Sequence, residues 1–78
     1  MDNIKPKVII SIEKKYNLNL KEFYDFQDIT EQPQSYKIDE KNNIIEINLN
    51  NCEITSLNPL KSIKTLRELY LRGNSINN

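Results

Sequence analysis

Few residues of this chain are of a type that does chemistry, and their spacing assembles no known catalytic centre. Asp25, Asp28 and Glu31 recur at intervals of three, which suggests a metal site or an acid pair. The sequence has no histidine, which excludes Ser–His and Cys–His nucleophile systems. Cys52 is the only cysteine and Gly73 the only glycine, so neither a cysteine zinc site nor a glycine-rich phosphate loop is present. We interpret the acidic residues as solvated and predict no enzyme activity, cofactor or metal.

Composition narrows the class of partner. Eleven basic and eleven acidic residues cancel over 78 residues, which argues against nucleic acid and against an anionic membrane surface. The apolar segment from Val8 to Ile12 is too short for a signal-peptide core or a membrane span. With one unpaired cysteine and no export signal, we expect a cytoplasmic protein whose partner is another protein.

The strongest feature of the sequence is an internal repeat of 22 residues. Segments 44–54 and 66–76 superimpose when one is shifted onto the other, and apolar residues coincide at four positions: Ile44 with Leu66, Ile47 with Leu69, Leu49 with Leu71, and Ile54 with Ile76. Apolar residues two apart point to one face of a strand. The repeat therefore predicts two parallel strands that stack their apolar sides.

The segment between the two strands has a different period. Apolar residues recur there at every third position: Leu57, Leu60 and Ile63. This spacing fits a 3₁₀-like return, in which Pro59 is acceptable because it needs no amide donor. Asn74 follows the second strand and is expected to bond backbone groups in the bend. Cys52 occupies the equivalent position and is expected to be a small buried group.

The combined pattern, L-x-x-L-x-L-x-x-N-x-I-x-x-L-x-x-L-x-x-L over residues 44–76, resembles the 22-residue class of leucine-rich repeats. Bacterial internalins and regulatory subunits of protein phosphatases are built from this class. The resemblance implies an α/β fold, the start of a leucine-rich repeat solenoid with parallel strands on a concave face. It also implies a protein-binding function. The chain departs from the family in number, since it holds one full repeat and the opening half of a second.

Residues 1–43 are predicted to be an N-terminal cap for the repeats in 44–78. Asp2 or Asn3 is expected to cap a helix that ends at Asn17 and has one apolar face, formed by Val8, Ile9, Ile12 and Tyr16. Alternation over Tyr36–Asp39 predicts a hairpin strand that covers the edge of the first repeat. The alternative is an independent helical domain, for which about forty residues are too few without staples.

Strand geometry also predicts which residues contact a partner. Those that point away from the core would line the concave face: Glu46, Asn48, Asn50, Glu68, Tyr70 and Arg72. Tyrosine and arginine are enriched at binding hot spots, so Tyr70 with Arg72 is the preferred contact pair. The alternative is that both are ordinary surface residues.

The sequence thus predicts a protein–protein interaction scaffold that is the N-terminal part of a longer repeat protein. Two alternatives stay open: a small stand-alone inhibitor or immunity-type protein that binds one enzyme, and a purely structural solenoid cap. We also expect self-association through an open C-terminal edge that carries four apolar residues: Leu66, Leu69, Leu71 and Ile76.

Overall fold

A computed structural model describes residues 5–76, which contain one helix, four strands and a short 3₁₀ turn. The helix α1 spans Lys7–Tyr16. The strands are β1 (Lys21–Tyr24), β2 (Ser35–Ile38), β3 (Ile44–Asn48) and β4 (Glu68–Tyr70). The 3₁₀ turn, Asn58–Leu60, lies between β3 and β4 and contains Pro59. The predicted helix cap at Asp2 or Asn3 lies outside the described residues.

The apolar face of helix α1 is buried. Ile9 and Ile12 lie one turn apart and are fully buried. Pro6 precedes the helix, and its carbonyl accepts the N–H groups of Ile9 and Ile10. The helix ends at Asn17, as predicted, because Asn17 adopts the left-handed conformation (φ 58°) and donates its N–H to the carbonyl of Glu13.

The four strands form one mixed sheet in the order β1-β2-β3-β4. Strand β1 pairs in parallel with β2, β2 runs antiparallel to β3, and β3 pairs in parallel with β4. The last pairing joins the repeated segments at an offset of 22 residues, with Ile47 opposite Leu69. A bulge between Lys37 and Ile38 interrupts the pairing of β2 with β3.

The prediction of a leucine-rich repeat solenoid was wrong. A solenoid stacks coils of equal length so that each contacts only its neighbours. Here only β3 and β4 belong to the repeated segments, whereas β2 runs antiparallel to β3 and β1 extends the sheet on the far side. The sheet and helix α1 enclose one compact core, so the fold is a small α/β unit with a mixed sheet.

The core lies between α1, the inner face of the sheet and the coil that connects β3 to β4. Its buried members come from these three parts and from the link between α1 and β1: Ile9, Ile12, Leu20, Tyr36, Ile38, Ile44, Ile47, Leu49, Cys52, Ile54 and Leu60. Tyr16 at the end of α1 also joins the helix to this coil by donating its hydroxyl hydrogen to the carbonyl of Ser56. Within residues 5–76, no helix has the length and apolar character that crossing a membrane requires.

Candidate protein-binding surface

Strand β4 brings three of the predicted contact residues to one end of the sheet. Glu68 and Tyr70 lie within β4, and Arg72 lies in the turn two residues beyond its end. Residues two apart on a strand point to the same side, so Glu68 and Tyr70 share a face. The strand register places Glu46 beside Glu68 and Asn48 beside Tyr70. The β3–β4 pair therefore gathers the predicted residues on one side of the sheet, opposite the core.

The turn after β4 holds the backbone of Arg72. The N–H of Arg72 donates to Oδ1 of Asn50 at 2.7 Å, and its carbonyl accepts the N–H of Asn51 at 2.7 Å. Gly73 has φ 77°, and a Cβ at this position would lie 1.9 Å from Oδ1 of Asn51. Any other residue here would adopt a strained backbone conformation and would have to displace the Asn51 amide. Arg72 itself is exposed on this fixed backbone, and Asn50 beside it is half-buried.

Asn48 must be removed from the predicted contact set because it is fully buried. Its Nδ2 donates to the carbonyls of Ile29 and Thr30, and its Oδ1 accepts the N–H of Asn50 at 3.0 Å. The loop that joins β1 to β2 thus covers this part of the sheet, which is not an open concave face. Every polar atom of the Asn48 amide serves the fold.

Glu46 is held by a lysine that the sequence analysis did not select. Nζ of Lys37 lies 3.5 Å from Oε1 of Glu46, and the strand register places the two residues opposite each other. Lys37 is 7 % exposed. The alternation of Tyr36-Lys37-Ile38 was the available signal, since it turns Lys37 to the side opposite the two apolar residues.

Tyr70 and Glu68 are joined within β4. The Tyr70 hydroxyl donates to Oε1 of Glu68 at 2.5 Å, and this bond raises the pKa of Tyr70 to about 12, with burial and the charge of Glu46 adding to the effect. Glu68 and Arg72 are exposed, and Tyr70 is half-buried. We call the accessible set the β4 surface: Glu46, Asn50, Glu68, Tyr70 and Arg72.

Removing the charge of Glu68 should lower the pKa of Tyr70 from about 12 toward the ordinary value of 10.0. The variant E68Q keeps an acceptor for the hydroxyl but removes the negative charge. Because the folded-state pKa is raised, the contribution of Tyr70 to stability is fully present below the unfolded value and is lost as pH rises toward 12. Alkaline titration of the Tyr70 ring by NMR, with Y70F for assignment, measures this; an unraised pKa in the unmodified chain contradicts the contact.

Asn74 ties the coil between β3 and β4 to both strands. Its Oδ1 accepts the N–H groups of Cys52 and Ile54, both at 2.9 Å. Its Nδ2 donates to the carbonyls of Leu49 at 2.7 Å and Leu71 at 3.0 Å. These bonds match the role predicted for Asn74 from its place after the second strand. They fix the position of β4 and hence of the β4 surface.

Cys52 behaves as a structural residue. It is 8 % exposed, and its Sγ donates to the carbonyl of Asn50. Burial raises the pKa of its thiol and outweighs the opposing effect of a backbone hydrogen bond from Gln34. A thiol with a raised pKa is mostly protonated at neutral pH, and the protonated form is a poor nucleophile.

Of the three evenly spaced acidic residues, Asp28 forms hydrogen bonds within its own loop, and the other two are exposed. Oδ1 of Asp28 accepts the N–H and the hydroxyl of Thr30, and these bonds lower the pKa of Asp28. Asp25 and Glu31 are exposed. Among residues 5–76, no three histidine, cysteine or acidic side chains lie close enough together to hold a metal ion.

A second surface feature lies at the opposite end of the sheet, and the sequence analysis did not anticipate it. A pocket of about 290 Å³ is lined by Tyr24, Asp25, Phe26, Ile38, Asp39 and Glu40. The rings of Tyr24 and Phe26 stack with centroids 6.3 Å apart, and Phe26 is 87 % exposed. Asp39 is committed to the β2–β3 turn, where it accepts the N–H groups of Lys41 and Asn43. The closely spaced aromatic residues 23–26 were the available signal.

The chain matches no protein family, no curated protein and no solved structure. Its function must therefore be inferred from its own residues. Of the two surface features, the β4 surface combines residue types enriched at protein interfaces with a sheet edge.

Proposed function

We propose that this chain is a protein-interaction module that binds its partner through the β4 surface. The observation that carries the proposal is the position of Tyr70 at the end of β4 and of the exposed Arg72 in the turn two residues later, at the end of the sheet. Tyrosine and arginine contribute more often than other residues to the binding energy of protein interfaces. The proposal includes a cytoplasmic setting, which suits the free thiol of Cys52.

The residues around Tyr70 and Arg72 are prepared for contact at low entropic cost. The backbone of Arg72 is bonded on both sides to the β3 turn, and the Tyr70 ring is oriented by Glu68. Ordering a side chain at an interface costs about 0.5–1.5 kcal/mol, so the Tyr70 ring, which Glu68 already orients, loses less on binding.

The size of the β4 surface also limits how it binds. Five side chains fall short of the roughly 800 Å² that a standard interface buries on each partner. The outer edge of β4, which pairs with no other strand within residues 5–76, supplies additional contact because its backbone groups can accept a further strand. We therefore assign binding to the face and the edge of β4 together.

The test compares two double variants at opposite ends of the same sheet. Y70A/R72A removes the preferred contact pair, and K21A/Y24A removes a cation and a tyrosine from β1. A partner is cross-linked to the immobilised chain, identified by mass spectrometry and purified, and its dissociation constant is measured for each variant. We expect Y70A/R72A to weaken binding by roughly 10- to 100-fold, and K21A/Y24A to leave it unchanged.

Folding is controlled with circular dichroism and with R72A alone, because Arg72 is exposed and its side chain can be shortened without a packing loss. R72A should retain the melting temperature and still weaken binding. Equal dissociation constants for the unmodified chain, R72A and Y70A/R72A would refute the proposal.

A further inference from the structure

The outer edge of β4 presents backbone groups to a further strand. The carbonyls of Tyr70 and Arg72 accept bonds from Leu49 and Asn51, so the backbone groups of these two residues face β3. Successive residues of a strand turn their N–H and C=O groups to opposite edges. Leu69 and Leu71 therefore direct theirs away from β3, at the end of the sheet.

The side chains along this edge are complementary to themselves. Reading outward from Tyr70, the neighbours on both sides are leucines, and the next residues are Glu68 on one side and Arg72 on the other. When such a segment is laid antiparallel against a copy of itself with Tyr70 at the centre, each Glu68 faces an Arg72. Each Leu69 likewise faces a Leu71. An antiparallel two-fold arrangement thus satisfies both charges and both apolar positions.

We propose that β4 pairs antiparallel with β4 of a second copy of this chain, about a two-fold axis that passes beside Tyr70. This inference rests on the proposed function and specifies the partner: the protein bound at the edge of β4 is the chain itself. The two four-stranded sheets become one continuous eight-stranded sheet.

The backbone polarity agrees with this register. Leu69 of one copy and Leu71 of the other form a pair that exchanges both hydrogen bonds, because both residues direct their N–H and C=O groups away from β3. The two Tyr70 residues form the closer pair without hydrogen bonds, which brings their side chains together. The carbonyl of Leu71 already accepts Nδ2 of Asn74 at 3.0 Å and keeps a second acceptor site for the new bond.

The pairing also buries apolar side chains along the same edge. Residues packed against the core along this end are only half-buried: Leu66, Leu69, Leu71 and Ile76. A second copy places its own leucines beside them and extends the core across the axis. A three-residue strand is short, and interfaces below about 1,200 Å² in total are weak, so we expect a dimer that forms reversibly at high concentration.

Sedimentation equilibrium of the full chain tests the pairing. At about 1 mM, a concentration that populates weak complexes, the average mass should rise from 9.2 kDa toward twice that value. Each single charge reversal, E68R or R72E, puts like charges opposite each other in two places. Each variant alone should lose self-association by roughly tenfold or more.

The mixture is the decisive control. E68R and R72E combined in equal amounts restore opposite charges at both places, so the mixed sample should associate although neither component does. The double variant E68R/R72E, which exchanges the charges, should also recover the dimer. These results require that each variant is folded, so a loss caused by unfolding cannot produce them.

Three outcomes distinguish failure of the β4 pairing from failure of the proposed function. A chain that stays at 9.2 kDa, or single variants that associate as well as the unmodified chain, overturns the β4 pairing. If a different purified protein then binds and Y70A/R72A abolishes its binding, the proposed function stands without this partner. If no binding of any protein depends on Tyr70 and Arg72, both claims fail.

Discussion

Replacing Asn74 with alanine should lower the free energy of unfolding by about 3 kcal/mol, because an unpaired buried polar group costs about 1–3 kcal/mol. The substitution removes four hydrogen bonds and leaves the N–H groups of Cys52 and Ile54 without their acceptor. Both residues are buried, so water does not readily replace the lost oxygen. Urea unfolding monitored by circular dichroism measures the difference.

Two further variants show whether the bonds or the residue type matter. N58A makes the same truncation at an exposed asparagine in the 3₁₀ turn, and we expect it to change stability by less than about 0.5 kcal/mol. N74D keeps the acceptor oxygen but loses both donors, and it places a negative charge against the carbonyls of Leu49 and Leu71. It should destabilise at neutral pH at least as much as N74A. Equal stability of N74A and N58A would contradict the role of Asn74.

Replacing Ile47 with alanine should lower the free energy of unfolding by about 3–4 kcal/mol, the usual range for a buried isoleucine. Ile47 is fully buried in β3 and lies between Tyr36 of β2 and Leu69 of β4 in the sheet. The substitution opens a cavity where the two parts of the sheet meet. A domain of this size has about 5 kcal/mol of stability, so I47A should keep only about 1–2 kcal/mol and melt well below the unmodified chain.

The matched control is I10A, which makes the same chemical change in α1 at a residue that is 39 % exposed. It should cost less than about 1 kcal/mol, since a large fraction of this residue already contacts water and alanine favours the helix. Thermal unfolding of both variants measures the comparison. If I47A and I10A melt together, Ile47 is not at the centre of the core.

Part of this fold follows from sequence periodicity. The 22-residue shift locates β3 and β4 and their offset, because both strands repeat the same apolar positions. The place of Asn74 after the second strand predicts its bonds to the coil. The left-handed ending of α1 at Asn17 is a local preference of asparagine, and it is also readable from sequence.

The solenoid prediction failed because the repeat says nothing about the other half of the sheet. Strand β1 has four residues, Lys21–Tyr24, and four residues are too few to show a clear alternation. Its parallel pairing with β2 is a contact between distant segments that no local pattern encodes. The sheet therefore extends beyond the repeated coil in a direction that the repeat does not specify.

The sequence likewise predicted the candidate site only in part. Alternation predicts that Tyr70 and Arg72 lie on the side of the sheet opposite the core, and in the structure Tyr70 is half-buried and Arg72 is exposed. Alternation also placed Asn48 there, and it could not foresee that the carbonyls of Ile29 and Thr30, about twenty residues earlier, would cover its amide. Burial of a strand face by a loop depends on tertiary contacts, which are not a property of the strand's own sequence.

Chemical-shift mapping of the ¹⁵N-labelled chain tests the central claim, binding through β4, most directly. Spectra are recorded as the chain is concentrated and as a purified partner is added. We predict the largest shifts at the amides of Leu69, Tyr70 and Leu71, with the signals of Tyr24 and Phe26 unchanged. Shifts confined to the pocket around Tyr24 and Phe26, with none in β4, would contradict the account.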